Sequence, residues 1–243
     1  MAEFPGQMPA QIKLNASEIV ARAHEAAGGE NWVKPRSLKL VGYNVTYTPD
    51  GPTLYDKYAM WRIYADDKPD AHRAQGRVRI EGWAGDTLKL LLTYNGEATF
   101  TADGQMPPSD ADKMWGSNFG FGAIRNALDE GWTQTRLPDD LVDGAPAYWV
   151  ELTDPVGGVT RFAFAIEDYR LLAVGFDTPR GWHERRYSHY FSKEGVSWAQ
   201  PGRVRLFYDG VKQNEIIWTD FVVGEDYPED HFVVAERPTE PSF

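Results

Sequence analysis

The stretch that most restricts the fold runs from Gly144 to Tyr190, where four short runs alternate residue by residue between two faces. Tyr148, Val150 and Leu152 alternate with Trp149, Glu151 and Thr153. Phe162, Phe164 and Ile166 alternate with Arg161, Ala163 and Ala165. A period of two, carried by β-branched and aromatic residues, is the signature of strands. The breaks, Asp154-Pro155-Val156-Gly157-Gly158 and Glu167-Asp168-Tyr169-Arg170, have turn composition. A meander of this kind builds a curved antiparallel sheet, and the question of function becomes what that sheet holds.

The same pattern extends upstream. From Ser37, the residues Val41, Tyr43, Val45 and Tyr47 share a face, and Pro49-Asp50-Gly51-Pro52 turns the chain. In the next strand Ala59, Trp61 and Ile63 oppose Tyr58, Met60, Arg62 and Tyr64. In the one after, Val78 and Ile80 oppose Arg77, Arg79, Glu81 and Trp83. Asn95-Gly96 and Asp209-Gly210 are two-residue hairpin turns. Helix is expected near the start, where Asn15 and Glu18 form a capping pair ahead of an apolar stripe of Ile19, Val20, Ala23, Ala26 and Ala27, closed by Gly28-Gly29. Residues 103–135 interrupt the strands. They are expected to form a helical lid insertion with Trp115, Phe119 and Phe121 as its apolar face and a short helix from Ala123 to Leu128. The expected class is mainly β (α+β): one curved antiparallel sheet with an N-terminal helix and the lid insertion. No Ser/Gly/Pro-rich linker divides the chain, so residues 1–243 read as a single domain, with 1–14 as an arm and 233–243 as a tail.

Composition excludes several classes. A net charge of -11 argues against nucleic acid and anionic lipid surfaces as partners. The chain has no cysteine, which removes disulfides and thiolate chemistry. No apolar run reaches the length of a membrane helix, so stable membrane insertion is not expected. Met1 to Gln7 has neither a basic nor an apolar region of a secretory leader, so a cytoplasmic location is expected, with the periplasm as the alternative if a leader was removed. With 9 Trp, 12 Tyr and 12 Phe, the chain has the residues to wall a pocket for an aromatic or apolar molecule.

Several segments together resemble a known family. They are the helix with Ala23-His24-Glu25-Ala26-Ala27-Gly28-Gly29-Glu30-Asn31-Trp32, the strand from Asp143-Gly144-Ala145-Pro146-Ala147-Tyr148, the later Tyr187-Ser188-His189-Tyr190, and the ending Asp220-Phe221-Val222-Val223 followed by Phe232. Over about residues 17–233 this layout resembles the LolA/LolB-like superfamily of lipoprotein-sorting and related bacterial proteins. The resemblance implies an unclosed β-barrel whose concave face is covered by helices around an apolar cavity. It also implies a periplasmic carrier of acyl chains.

The chemistry-bearing residues form two rows. Metal ligation has no support: of the five histidines only His183 and His189 are near each other, and six residues along a strand is about 20 Å. There is no serine elbow, no phosphate loop and no βαβ unit for a nucleotide, so no cofactor is expected. Arg185, Tyr187 and His189 recur at every second residue of one strand, and Arg77, Arg79 and Glu81 of another. An imidazole passes protons near neutral pH, and an arginine with a phenol stabilises a developing oxyanion. This reading makes His189, Tyr187, Arg79 and Arg185 the catalytic candidates. The ligand walls would come from Tyr43, Tyr58, Trp61, Arg77, Glu81, Trp83, Trp115, Phe119, Phe121, Trp182 and His183. The expected function is a cofactor-independent lyase or isomerase acting on a small aromatic or hydrophobic molecule. The alternative is a LolA-like carrier of lipids or hydrophobic ligands without catalysis. Self-association into a homo-oligomer stays open, as does which sheet face lines the cavity.

Overall fold

The computed structural model describes residues 14–64, 76–108 and 121–243. Among them, fourteen strands form one antiparallel sheet that does not close into a barrel. The strands are β1 (Ser37–Thr48), β2 (Gly51–Tyr64), β3 (Gly76–Ala84), β4 (Thr87–Tyr94), β5 (Thr99–Thr101), β6 (Gly104–Gln105), β7 (Thr133–Arg136), β8 (Asp140–Val142), β9 (Ala145–Thr153), β10 (Val159–Ala165), β11 (Leu171–Thr178), β12 (Gly181–Phe191), β13 (Gln200–Tyr208) and β14 (Val211–Val223). Their spatial order is β6-β5-β4-β3-β2-β1-β14-β13-β12-β11-β10-β9-β7, with β8 also paired to β9. Each strand pairs with a sequence neighbour except β7, which joins β9, and β1 also joins β14. The chain's two meanders therefore meet in the middle of the sheet, and their far ends are left open. Of the expected insertion 103–135, Gly104–Gln105 and Thr133–Arg136 pair into this sheet.

The Asp209-Gly210 turn is as its residues predict, whereas at Asn95-Gly96 the expected two-residue turn is a four-residue connection, 95–98, in which Asn95 Oδ1 accepts from the Glu97 and Ala98 N–H groups. Asp209 and Gly210 both take positive φ, 47° and 76°, as a tight two-residue hairpin requires. Asp154 Oδ1 accepts from the backbone N–H groups of Val156 (3.0 Å) and Gly158 (2.7 Å), which closes the β9–β10 turn.

Helix α1 (Ala16–Ala27) is started by a reciprocal capping box. Asn15 accepts from the Glu18 N–H at 2.9 Å and Glu18 accepts from the Asn15 N–H at 2.8 Å. Its stripe of Ile19, Val20 and Ala23 is buried on the concave face against Val150, Leu152, Phe162 and Phe164. Burying each of the two branched side chains contributes about 1.5–3 kcal/mol. A short α2 (Glu30–Val33) carries the buried Trp32, and α3 (Phe121–Asn126) follows. His24 Nε2 lies 2.6 Å from the Ile124 carbonyl and ties α1 to α3.

The convex face is also covered at one place. The C-terminal segment passes through a 3-10 turn (Glu229–Phe232) and packs on the outside of β2 and β3. There Phe232 is fully buried with Ala59 and Trp61, and Val234 packs with Trp83, Leu88 and Phe100.

Candidate functional site

The site is built from cross-strand rows on the concave face. One row runs Tyr187, Val204, Ile216, Asn44 across β12, β13, β14 and β1. The next runs Arg185, Leu206, Asn214. Farther along, Leu38 pairs with Arg62 and Leu40 with Met60. Gly42 lies between Trp218 and Tyr58, at a shift of register in the β1–β14 pairing. A Cβ on Gly42 would sit 1.9 Å from the Ile217 carbonyl oxygen, so only glycine fits. With no side chain between them, Tyr58 and Trp218 stack across β1 with ring centroids 5.5 Å apart.

These rows enclose a cavity of about 270 Å³, walled mostly by apolar and aromatic side chains. The helices seal one end. Arg125 of α3 donates from Nε to the Trp32 carbonyl at 2.8 Å, and its guanidinium lies 4.5 Å from the Trp32 ring and 4.7 Å from the Tyr64 ring. Three guanidiniums, those of Arg62, Arg125 and Arg185, line this one cavity. They come from β2, α3 and β12. Burial first, and then the like charges of Arg125 and Arg185, lower the Arg62 pKa against an opposing contribution from Tyr64. Burial also lowers Arg185, and the neighbouring phenols oppose it. Arginine nevertheless stays charged. Burial pushes the Tyr58 phenol up to about 12, opposed by Arg185, and raises Tyr187 in the same way.

His183 stands behind Arg185. Its ring stacks on Phe176 at 4.6 Å and meets Tyr208 edge-on at 5.1 Å. Arg185 Nε donates to His183 Nε2 at 3.2 Å, a bond that requires the neutral imidazole. Burial, then the charges of Arg185 and Arg180, bring its pKa down to about 3.

The structure brings some of the expected site residues together and separates others. Arg185, Tyr187 and Tyr58 line the cavity, and His183 adjoins it. His189 does not join them. It takes a left-handed φ of 56°, and the in–out alternation slips by one there. Tyr190 turns in toward α1, while His189 stays exposed in a shallow outer groove beside Arg203 and Glu215. The row Arg77, Arg79, Glu81, Trp83 lies on the convex face with Trp61, under the C-terminal segment. Glu81 is fully buried, with Arg79 Nε at 2.7 Å, the Ser242 hydroxyl at 2.5 Å and the Trp83 indole N–H at 3.3 Å. Burial alone would raise the Glu81 pKa, but the hydrogen bonds and charge of Ser242 and Arg79 hold it below its usual value. Arg79 also donates to the His231 carbonyl at 2.8 Å, and Arg77 pairs with Glu229 at 2.7 Å. Tyr43 is exposed on the outer face, and Trp182 covers Gly175 there. Trp115, Phe119 and the side chain of Phe121 lie outside the described residues.

Sequence reasoning left out Arg62, Arg125 and Asn214 as wall residues. Arg62 was findable, since it shares its strand face with Tyr58 and Met60. Arg125 comes from a helix of one and a half turns, too short to carry a periodic signal. Among the described residues, no group of three or more His, Cys, Asp or Glu side chains could hold a metal ion. No described helix is long and apolar enough to cross a membrane.

No family model matches the sequence, and neither does any curated protein. Solved structures do match. A structure described as an outer membrane lipoprotein-sorting protein domain from Vibrio parahaemolyticus superposes with a TM-score of 0.50 at 14% identity, over 90% of this chain and 97% of that one. A DUF1329 family protein from Desulfovibrio piger gives 0.52 at 9% identity, over 91% and 98%. The fold is LolA-like. A LolA superfamily protein from Nitrosomonas europaea also matches, with a TM-score of 0.45 at 14% identity over 90% and 98%. The fold includes the unclosed sheet that the resemblance implies and the N-terminal helix that the sequence pattern implies. The expected cytoplasmic location is corrected by the same comparison. It rested only on the make-up of the first residues, whereas a matching structure is described as an outer membrane lipoprotein-sorting protein domain.

Proposed function

We propose that this protein is a periplasmic carrier or binding protein that holds a hydrophobic molecule in the cavity of its LolA-like half-barrel. The observation that carries this reading is the cavity itself. About 270 Å³ of space lies on the concave face among Leu38, Leu40, Ile80, Val204, Ile216 and Trp218. Such a space, apolar with a few placed polar groups, is what ligand sites share. The acid–base reading has its own supporting observation, since Arg185, Tyr187 and Tyr58 do share this cavity. Among the described residues its wall has no His, Lys or carboxylate. With both phenols raised by burial, a proton acceptor near neutral pH is missing from that set.

The test is native mass spectrometry of freshly purified protein alongside a Val204→Trp variant, whose indole would fill the space. The expected result is a co-purified hydrophobic molecule on the wild type and its loss from a folded variant. Wild-type protein that carries nothing and binds no apolar fluorescent probe would overturn the reading.

A further inference from the structure

The sheet forks between β13 and β14. Their pairing runs from Tyr208–Val211 to Arg203–Ile217 and goes no further. Beyond that rung Pro201 and Gln200 stay paired to β12, while Trp218 and Phe221 stay paired to β1. Pro201 has no N–H to offer a neighbour. At the same place Thr219 is an extra residue in β14, since Gly42 faces Trp218 and Val41 faces Asp220.

The fork divides two spaces. Inside, Gln200, Pro201 and Trp218 line the cavity of about 270 Å³. Outside, Phe191, Gly202, Arg203, Ile217 and Trp218 line the shallow groove beside His189. Trp218 is common to both, so its indole is the partition between them. On β13 the position that should face inward in step with Val204 and Leu206 is Gly202, which has no side chain to thicken the wall. A Cβ there would sit 2.5 Å from the His189 carbonyl oxygen. The fork is closed by side chains. The Phe191 ring meets the Phe221 ring edge-on with centroids 5.5 Å apart. Lys193 lies 5.2 Å from the Phe221 ring centroid and pairs with the exposed Asp220. From within, Trp218 is held by its stack on Tyr58. Parting the fork therefore breaks ring contacts and one ion pair, not a strand ladder. Ring rotation is fast, whereas unzipping a strand pair is a slower local unfolding.

We infer that this fork is the port through which the guest enters and leaves the cavity, with the Trp218 indole as its gate and Phe191 as its outer stop. The inference rests on the carrier reading, since a port needs a guest.

The experiment follows exchange of N-phenyl-1-naphthylamine, an apolar fluorescent probe, by stopped flow. Ile217→Trp puts an indole in the outer groove and leaves the cavity lining untouched. It should slow association and release alike, at least tenfold, and keep Kd within threefold, because a port sets rates and not the bound state. Phe191→Ala should speed both about fivefold, again with Kd within threefold. If either variant does not fold by circular dichroism, the other decides. Association and release within twofold of wild type in the folded variants would overturn the port and leave the carrier reading standing. A change in Kd carried by release alone would also overturn it, because the residue would then touch the guest and not its path. Wild-type protein that binds no probe would overturn both.

Discussion

Lowering the pH from 8 to 5 should cost this protein about 2 kcal/mol of stability through His183 alone. Its imidazole accepts a hydrogen bond from Arg185 and lies between Phe176 and Tyr208, so the folded state holds it neutral. The pKa falls from an unfolded value of 6.5 to about 3 in the fold. Between those values the unfolded chain binds the proton and the folded chain does not, so stability rises with pH across that window. The loss therefore begins as pH falls through 6.5 and levels off below about 3. At pH 5 the unfolded chain is protonated about thirtyfold over its neutral form, which is worth about 1.5 units at 1.36 kcal/mol each. His231, lowered to about 4 chiefly by burial, and His24, also lowered by burial, act in the same direction. Their share cancels when wild type is compared with His183→Gln, whose amide oxygen can still accept from Arg185. Urea denaturation of both proteins at pH 8 and pH 5 is the assay. Wild type should lose about 2 kcal/mol more than the variant over that interval. An equal loss in both would refute the buried neutral imidazole.

Other substitutions test the framework around the site. Glu81→Ala strands the buried Arg79 guanidinium and should cost about 3–5 kcal/mol in urea denaturation. By contrast, Glu229→Ala at the exposed Arg77 pair should cost at most about 1 kcal/mol. Gly42→Ala drives a methyl into the Ile217 carbonyl and should cost about 3 kcal/mol or more, with a change in near-ultraviolet dichroism as the Tyr58–Trp218 stack is disturbed. Asn15→Ala removes half of the capping box and should lower the thermal midpoint through a loss of about 1 kcal/mol.

Much of the sheet was legible because its turns and alternation are local. Asp209-Gly210, the Asn15–Glu18 pair and the division of β2 into a Tyr58 face and a Trp61 face all follow from neighbours in sequence. Which of those two faces lines the cavity was not legible. Both faces of β2 and β3 are buried, one by the helices and one by the C-terminal segment, so Trp61 and Trp83 look as inward as Tyr58. The cover over them comes from residues about 150 positions later, and no local pattern announces it. The slip at His189 was hidden for a different reason. Tyr187-Ser188-His189-Tyr190 has the composition of a regular strand, and nothing in it marks the positive φ that His189 takes. Arg185 and Tyr187 precede that slip, which is why the alternation places them together correctly.

The C-terminal segment has a mechanical meaning for a sheet that is open at both ends. At β2 and β3 the sheet is clamped between two layers, with Thr93 and Arg79 gripping the backbone of Phe232 and His231 from outside. Around β12–β14 the outer face bears instead a lattice of surface ion pairs, among them Arg186–Asp143 and Arg203–Glu215, which yield readily to solvent. The sheet is therefore covered on both faces at β2 and β3 but carries surface ion pairs on its outer face at β12–β14. On the carrier reading proposed above, widening to admit a guest would fall to the strand pairs of β12–β14, which carry Arg185 and Asn214, and not to the doubly covered β2 and β3.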